Sequence, residues 1–431
     1  MKKLLITLMA LTAFGTAAQA KTIEITLDSP VIYTMAESAI EKSELEAAAY
    51  ISNDITMVPL RFVSENLGAN VDWNGETRQV TCTKGNKTII LTIDDINAQV
   101  TTEAGTSSGT LLSAPVIVKD RTFVPLRFVS ENFDAYVEYV APTRQVIITD
   151  EPAALTVNGK RLDTAFLSTY YKMNEAYIGY YGPEAYFSAV YQNLLDMTAF
   201  ESNWSVLDPD TSLPEEYMAE LNEYNSDDLA EQGILKSYLT KVYIADNAIM
   251  KAQNMMAGSF TEEQLFDFYD NTFVCAKHIL FSTVNNETGE SLSDKEKEAV
   301  KKKAEGILAK IKKGEDFDKL MKENTEDPGS EYYPEGYVFT GGEMVPEFEE
   351  AVFNIGDNEL SGIVESDYGY HIIKRVPLPE MSEETKTKVE NALINNFMQD
   401  LISNASVIEG ISYGELYNML TPEEYKGQPV G

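Results

Sequence analysis

The nine residues Val58-Pro59-Leu60-Arg61-Phe62-Val63-Ser64-Glu65-Asn66 recur unchanged at Val124–Asn132, 66 positions further on. At the same offset Thr77-Arg78-Gln79-Val80 recurs as Thr143-Arg144-Gln145-Val146. Two matches at one spacing mark an internal duplication, so this part of the chain must fold as two copies of one unit. Each copy reads as a short helix with proline near its first turn, followed by strands. Val71, Trp73 and Val80 in the first copy, and Val137, Tyr139, Val146 and Ile148 in the second, alternate as half-buried strands do. Asn74-Gly75 signals a hairpin turn. Met35 to Ala49, with Glu37, Glu41, Glu44 and Glu46, reads as a helical insertion that the second copy lacks.

A chain of 431 residues has room for two to four domains. Its 34 Lys and Arg against 69 Asp and Glu give a net charge of −35, which excludes nucleic acid and anionic membrane surfaces as partners. Two cysteines and two histidines are too few for a disulfide scaffold or a Cys/His zinc site. Cys82 and Cys275 therefore read as small buried apolar residues. Met1-Lys2-Lys3, the apolar run Leu4–Phe14 and Ala18-Gln19-Ala20 form an export signal over residues 1–20, cleaved after Ala20. No later segment approaches the ~20 apolar residues of a membrane span. The mature chain is thus expected outside the cell, soluble or associated with the cell wall.

Leu155-Thr156-Val157-Asn158-Gly159-Lys160 reads as a strand and turn, with helices following to about Asp270. Phe166, Tyr170, Tyr171, Tyr177, Tyr180, Tyr181, Tyr186, Phe187 and Tyr191 crowd these helices, as packed core or as a groove for unfolded chains. Both histidines fall later, between Asn271 and Pro377. Cys275–Phe281 alternates as a strand with Ala276, His278 and Leu280 on one face. Ser293 and Glu296 form a capping box ahead of an apolar stripe, Val300, Ala304, Ile307, Leu308 and Ile311, that Gly314 stops. Phe317, Leu320 and Met321 face inward from a second helix, and Pro346 starts a third with Phe348, Val352 and Phe353 on its apolar side. Gly362–Val364 and Gly369–Lys374 read as strands joined at Asp367-Tyr368-Gly369.

These patterns carry three resemblances. The duplicated stretch resembles the copper amine oxidase N-terminal domain, used as a stalk on exported bacterial proteins. Residues 21–150 hold no histidine, so the name implies no copper here. Ala276-Lys277-His278-Ile279-Leu280, Lys312-Lys313-Gly314-Glu315-Asp316-Phe317, Gly341-Gly342-Glu343-Met344-Val345-Pro346-Glu347-Phe348 and Tyr368-Gly369-Tyr370-His371-Ile372-Ile373-Lys374 occur in the order found in the parvulin family of peptidyl-prolyl isomerases. Val157-Asn158-Gly159 before a helix resembles the start of the chaperone lobe in secreted parvulin foldases of the PrsA and SurA type.

The resemblance implies a multidomain α+β protein. Residues 21–150 would form a β-rich tandem stalk and 151–270 a helical chaperone lobe. Residues 271–377 would form a parvulin domain, a small antiparallel sheet flanked by helices. A C-terminal helix and strand in 378–431 would complete the lobe. Carried over by position, His278, His371 and Asp327 are the catalytic set. Met344 and Phe348 form the shelf for the proline ring, Phe339 packs behind it, and Ser366 stands beside the second histidine. The chain departs from the family at Tyr332–Tyr337, where a Gly-Gly-Asp-Leu-Gly run is usual. The resemblance implies no cofactor and no metal, and its substrates would be unfolded, proline-containing exported polypeptides. The stalk would bind cell-wall polymer or act as a folded spacer. Two other functions are compatible with the same sequence: a holdase without turnover, and a wall-binding surface protein.

Overall fold

The computed structural model describes residues 21–36, 39–173, 175–285, 290–422 and 425. The expected export signal, Glu37 of the expected insertion and most of the chain beyond Pro422 lie outside the described residues. No helix among the described residues is long and apolar enough to cross a membrane. The chain divides into two compact units: residues up to Ala252 with those from Met398 onward, and Gln253–Phe397.

In the first unit the duplication has a direct structural expression. Strands Ile55–Pro59 and Arg121–Pro125 pair antiparallel with Val58 opposite Val124, so equivalent residues of the two copies face each other across a local two-fold axis. The helices Leu60–Asn66 and Leu126–Asn132 follow at once. They bury the same three positions of the shared word, Leu60, Val63 and Ser64 in one copy and Leu126, Val129 and Ser130 in the other. Strand Thr22–Thr26 joins Gln145–Thr149 of the second copy, closing the beginning of the described chain onto the end of the repeat. Asn70–Asn74 and Gln79–Lys84 form the expected hairpin. The turn spans four residues, with the Asn74 side-chain oxygen accepting from the Glu76 and Thr77 amides.

The expected helix over Met35–Ala49 is a correction. Val31–Ala36 and Ala39–Glu44 are antiparallel strands of a five-stranded sheet, Ala39–Glu44 at its edge. Helix-favouring Ala and Glu are overridden because Met35 is buried in the sheet and Ala39–Glu44 pairs back along the whole of Val31–Ala36. Glu41, Lys42 and Glu44 then stand exposed on the edge strand, where charge discourages further pairing.

After the repeat, Ala153–Val157 and Lys160–Asp163 form a hairpin whose turn residues, Asn158 and Gly159, both have positive φ. Val407–Glu409 returns to pair with Ala153–Val157. Asn158 ties the return: its Oδ1 accepts from the Ser406 amide at 2.7 Å, and its Nδ2 donates to Ser202 at 2.8 Å. Phe166, Tyr171, Tyr186, Phe187 and Tyr191 are core, whereas Tyr177, Tyr180 and Tyr181 lie exposed against one another.

The second unit holds a four-stranded antiparallel sheet. Its strands are β1 (Val274–Ser282), β2 (Tyr337–Phe339), β3 (Leu360–Ser366) and β4 (Gly369–Val376), in the order β2-β1-β4-β3. Three helices accompany it: α1 (Asp294–Lys312), α2 (Phe317–Asn324) and α3 (Pro346–Phe353). One sheet face packs Ile279, Phe281 and Ile372 against Ala304, Ile307, Leu308, Phe317, Leu320 and Met321 of α1 and α2. The other packs Ala276 and Ile373 against Phe339, Phe348 and Val352. Alternation along the strands separates the two cores, and both histidines share the second face. Ser293 fulfils its cap, its amide and hydroxyl both donating to the Glu296 carboxylate. Phe353 departs from expectation: at the last position of α3 its ring lies 6.2 Å from that of Phe339 and remains exposed.

Candidate active site

The site is assembled by strand register. β1 and β4 pair with His278 opposite Ile373 and Leu280 opposite His371, so the two histidines are diagonal neighbours on one face. Their rings lie 16° from parallel, Nδ1 to Nδ1 at 3.1 Å. The tight β3–β4 turn delivers the second histidine. Gly369 there has φ of 144°, and a Cβ would collide with the Phe281 carbonyl, so only glycine closes the turn. Ser366, at the end of β3, then reaches His371 Nε2 at 2.7 Å.

Asp327 arrives from the loop after α2. That loop is fastened to β1 by the Glu326 amide donating to Leu280 O and the Leu280 amide donating to Thr325 Oγ1. Asp327 Oδ2 lies 2.9 Å from His278 Nε2, and its Oδ1 accepts from the Gly329 amide at 3.0 Å. The hydroxyl of Tyr337 on β2 donates to the same Oδ2 at 2.6 Å. Burial raises the pKa of Asp327, but the hydrogen bonds from His278 and Tyr337 outweigh it and draw the carboxyl down to about 2. Burial, reinforced by the neighbouring His278, lowers His371 to about 4, so at neutral pH that ring is uncharged.

An ionised Asp327 takes the proton of His278 Nε2, and one hydrogen bond joins the two Nδ1 atoms, 3.1 Å apart. His371 Nε2 and the Ser366 hydroxyl share the next hydrogen bond. Ser366, His371, His278 and Asp327 thus form one continuous hydrogen-bonded series.

Phe348 stands edge-on to both imidazoles, its centroid 5.1 Å from His278 and 5.6 Å from His371. Met344 is half-buried beside it. The Gly342, Glu343 and Met344 amides all donate to the Glu349 carboxylate at 2.8–3.0 Å, which fixes the loop that carries Met344. Phe339 has no exposed surface and stands behind Phe348, its ring centroid 5.9 Å away. The structure therefore brings all seven expected residues into one cluster and presents Met344 as the apolar member open to solvent. Cys275 is buried on the opposite face, its thiol pushed up to about 11 by desolvation.

Residues 265–376 match the family described as PPIC-type PPIASE domain, and residues 37–148 match the copper amine oxidase N-terminal domain. The parvulin-like PPIase of Rickettsia bellii is 30% identical over 197 residues, covering 42% of this chain and 67% of that protein. The chain belongs to the parvulin family. The foldase protein PrsA of Geobacillus sp. (strain WCH70) is 36% identical over 163 residues, 34% of this chain and 52% of the relative. The chain thus spans about half the length of such PrsA foldases. Among solved structures, NmPin, the parvulin of Nitrosopumilus maritimus, is 34% identical over 25% of this chain and 98% of its own, with a TM-score of 0.19. PrsA from Bacillus cereus is 22% identical, covering 65% of this chain and 94% of that one, with a TM-score of 0.27.

Within this parvulin, the stretch Tyr332–Tyr337 that departs from the family words supplies Tyr337, a contact to Asp327 that no motif announced. Its only signal in the sequence was the departure itself. Glu349 was equally silent, because a glutamate on a helix reads as a solvated face until the loop folds over it.

Proposed function

We propose that this chain is an exported foldase that accelerates rotation about X-Pro bonds in unfolded polypeptides. On this reading residues 1–20 are its cleaved signal, 21–150 a stalk, 151–270 with 378–431 a chaperone lobe, and 271–377 the isomerase. The observation that carries it is the Ser366–His371–His278–Asp327 series set beside Met344 and Phe348. The X-Pro amide is held planar by a barrier of about 18–20 kcal/mol. Lowering that barrier breaks no bond; the site must bind the twisted amide better than either planar isomer. Met344 and the edge of Phe348 take the proline ring and strip water from the amide. The oriented imidazoles and Ser366 offer fixed dipoles to a carbonyl turning out of conjugation.

The test is isomerisation of a short Xaa-Pro peptide by the full chain. Turnover that falls at least ~100-fold in His278→Ala supports the enzyme, since polar-network groups typically contribute ~10²–10³-fold. Wild-type turnover no faster than buffer rejects it. A holding function gains support from the exposed Tyr177, Tyr180 and Tyr181, and it predicts suppression of aggregation that survives His278→Ala and fails when all three are changed to Ser.

A further inference from the structure

We propose that Tyr337 is a positioning residue of the isomerase site, locked onto Asp327 by the absence of a side chain at Gly329. This rests on the foldase reading and names a residue that the family pattern does not supply.

Asp327 ends the hydrogen-bonded series, and which way its carboxylate faces decides whether His278 Nε2 keeps its proton. Two bonds fix that carboxylate besides His278: the Gly329 amide on Oδ1 and the Tyr337 hydroxyl on Oδ2. The phenol is itself held. Its backbone pairs with Ala276 on β1, Tyr333 packs on its ring at 4.9 Å, and its edge meets the His278 ring at 5.7 Å. Its oxygen occupies the space that a Cβ on Gly329 would need. Gly329 has no positive φ, so its backbone would accept alanine; the phenol is what the missing methyl makes room for. The loop that lacks the usual glycine-rich run thus trades pliancy for a second charged-acceptor hydrogen bond.

Other ionisable groups near Asp327 are already engaged. Glu326 takes Lys303 and the Ser282 amide, and Glu335 takes Lys277. His278 and His371 face it from the sheet, and Tyr333 stands behind Tyr337.

The experiment compares wild type, Tyr337→Phe, Gly329→Ala and the double variant, each as the full chain. The readouts are the Asp327 carboxyl titration by carbon NMR and the pH profile of kcat/KM. Phe keeps the ring packing and removes one hydroxyl; alanine at 329 displaces the same hydroxyl without touching residue 337. Both singles should move the Asp327 midpoint up from about 2 by about 1–2 pH units. Across the pH profile kcat/KM should fall, with kcat reduced more than KM is raised. The double should add nothing to either single, because both remove one bond. An unchanged Asp327 midpoint in Tyr337→Phe overturns the proposal, as does additivity in the double. Loss of the wild-type rate itself would instead reject the isomerase reading, while the carboxyl titration would still decide the role of Tyr337.

Discussion

Lowering the pH from 7 to 4.5 protonates an ordinary histidine, whose pKa is near 6.5, but not His371, which its surroundings hold near 4. Unfolding then releases a ring that takes up a proton which the folded state refuses. The sign follows from linkage: a histidine lowered on folding leaves stability intact above pH 6.5 and removes it progressively as pH falls toward 4. With midpoints of 6.5 unfolded and about 4 folded, the free energy lost between pH 7 and 4.5 is about 2.5 kcal/mol. His371 is only 4% exposed, so solvent screening takes little from that figure. Asp327 does not offset it, since a carboxyl drawn down to about 2 affects stability only below its ordinary value near 3.8. The assay is urea unfolding at both pH values, read by hydrogen exchange in peptides covering 271–377. Intrinsic tryptophan fluorescence would miss the event, because the only two tryptophans are Trp73 and Trp204. His371→Gln provides the control: wild type should lose about 2.5 kcal/mol more than the variant between the two pH values. Equal losses, or an imidazole that titrates near 6.5 in the folded protein, would refute the assignment of a neutral, desolvated ring.

Gly369→Ala should destabilise the isomerase unit by at least ~2 kcal/mol and abolish turnover, because positive φ and a clash with Phe281 O together undo the hairpin; a folded, active variant would count against the turn argument. Phe348→Ala should cost about 3–5 kcal/mol in urea unfolding of the same unit and remove the wall beside both imidazoles. Glu349→Ala frees three loop amides, so KM for an Xaa-Pro peptide should rise several-fold with kcat less affected; unchanged KM would show that Met344 is placed by other contacts.

The site was legible to the extent that it is written in short words. His278 lies on a strand whose alternation can be read from Cys275 to Phe281, and His371 follows a Tyr-Gly turn, so local sequence places both. Tyr337 and Glu349 could not. Each acts by reaching a backbone or carboxylate distant from its own element, and local pattern carries no information about such a reach. The failed helix at Met35–Ala49 has the same origin: local propensity favoured a helix by tenths of a kcal/mol per residue, while pairing with Val31–Ala36 set Ala39–Glu44 into the sheet and Met35 was buried.

Strand alternation, caps and turn glycines were determined by the sequence alone, because each depends on residues within a few positions of one another, and the duplication because whole words recur 66 positions apart. Tertiary structure decided which equivalent residues meet, Val58 with Val124, and on which side of the sheet the imidazoles gather. It also decided that a tyrosine would close the acid end of the series. Those choices depend on register between distant strands and on where water is excluded, and both exist only once the chain is packed.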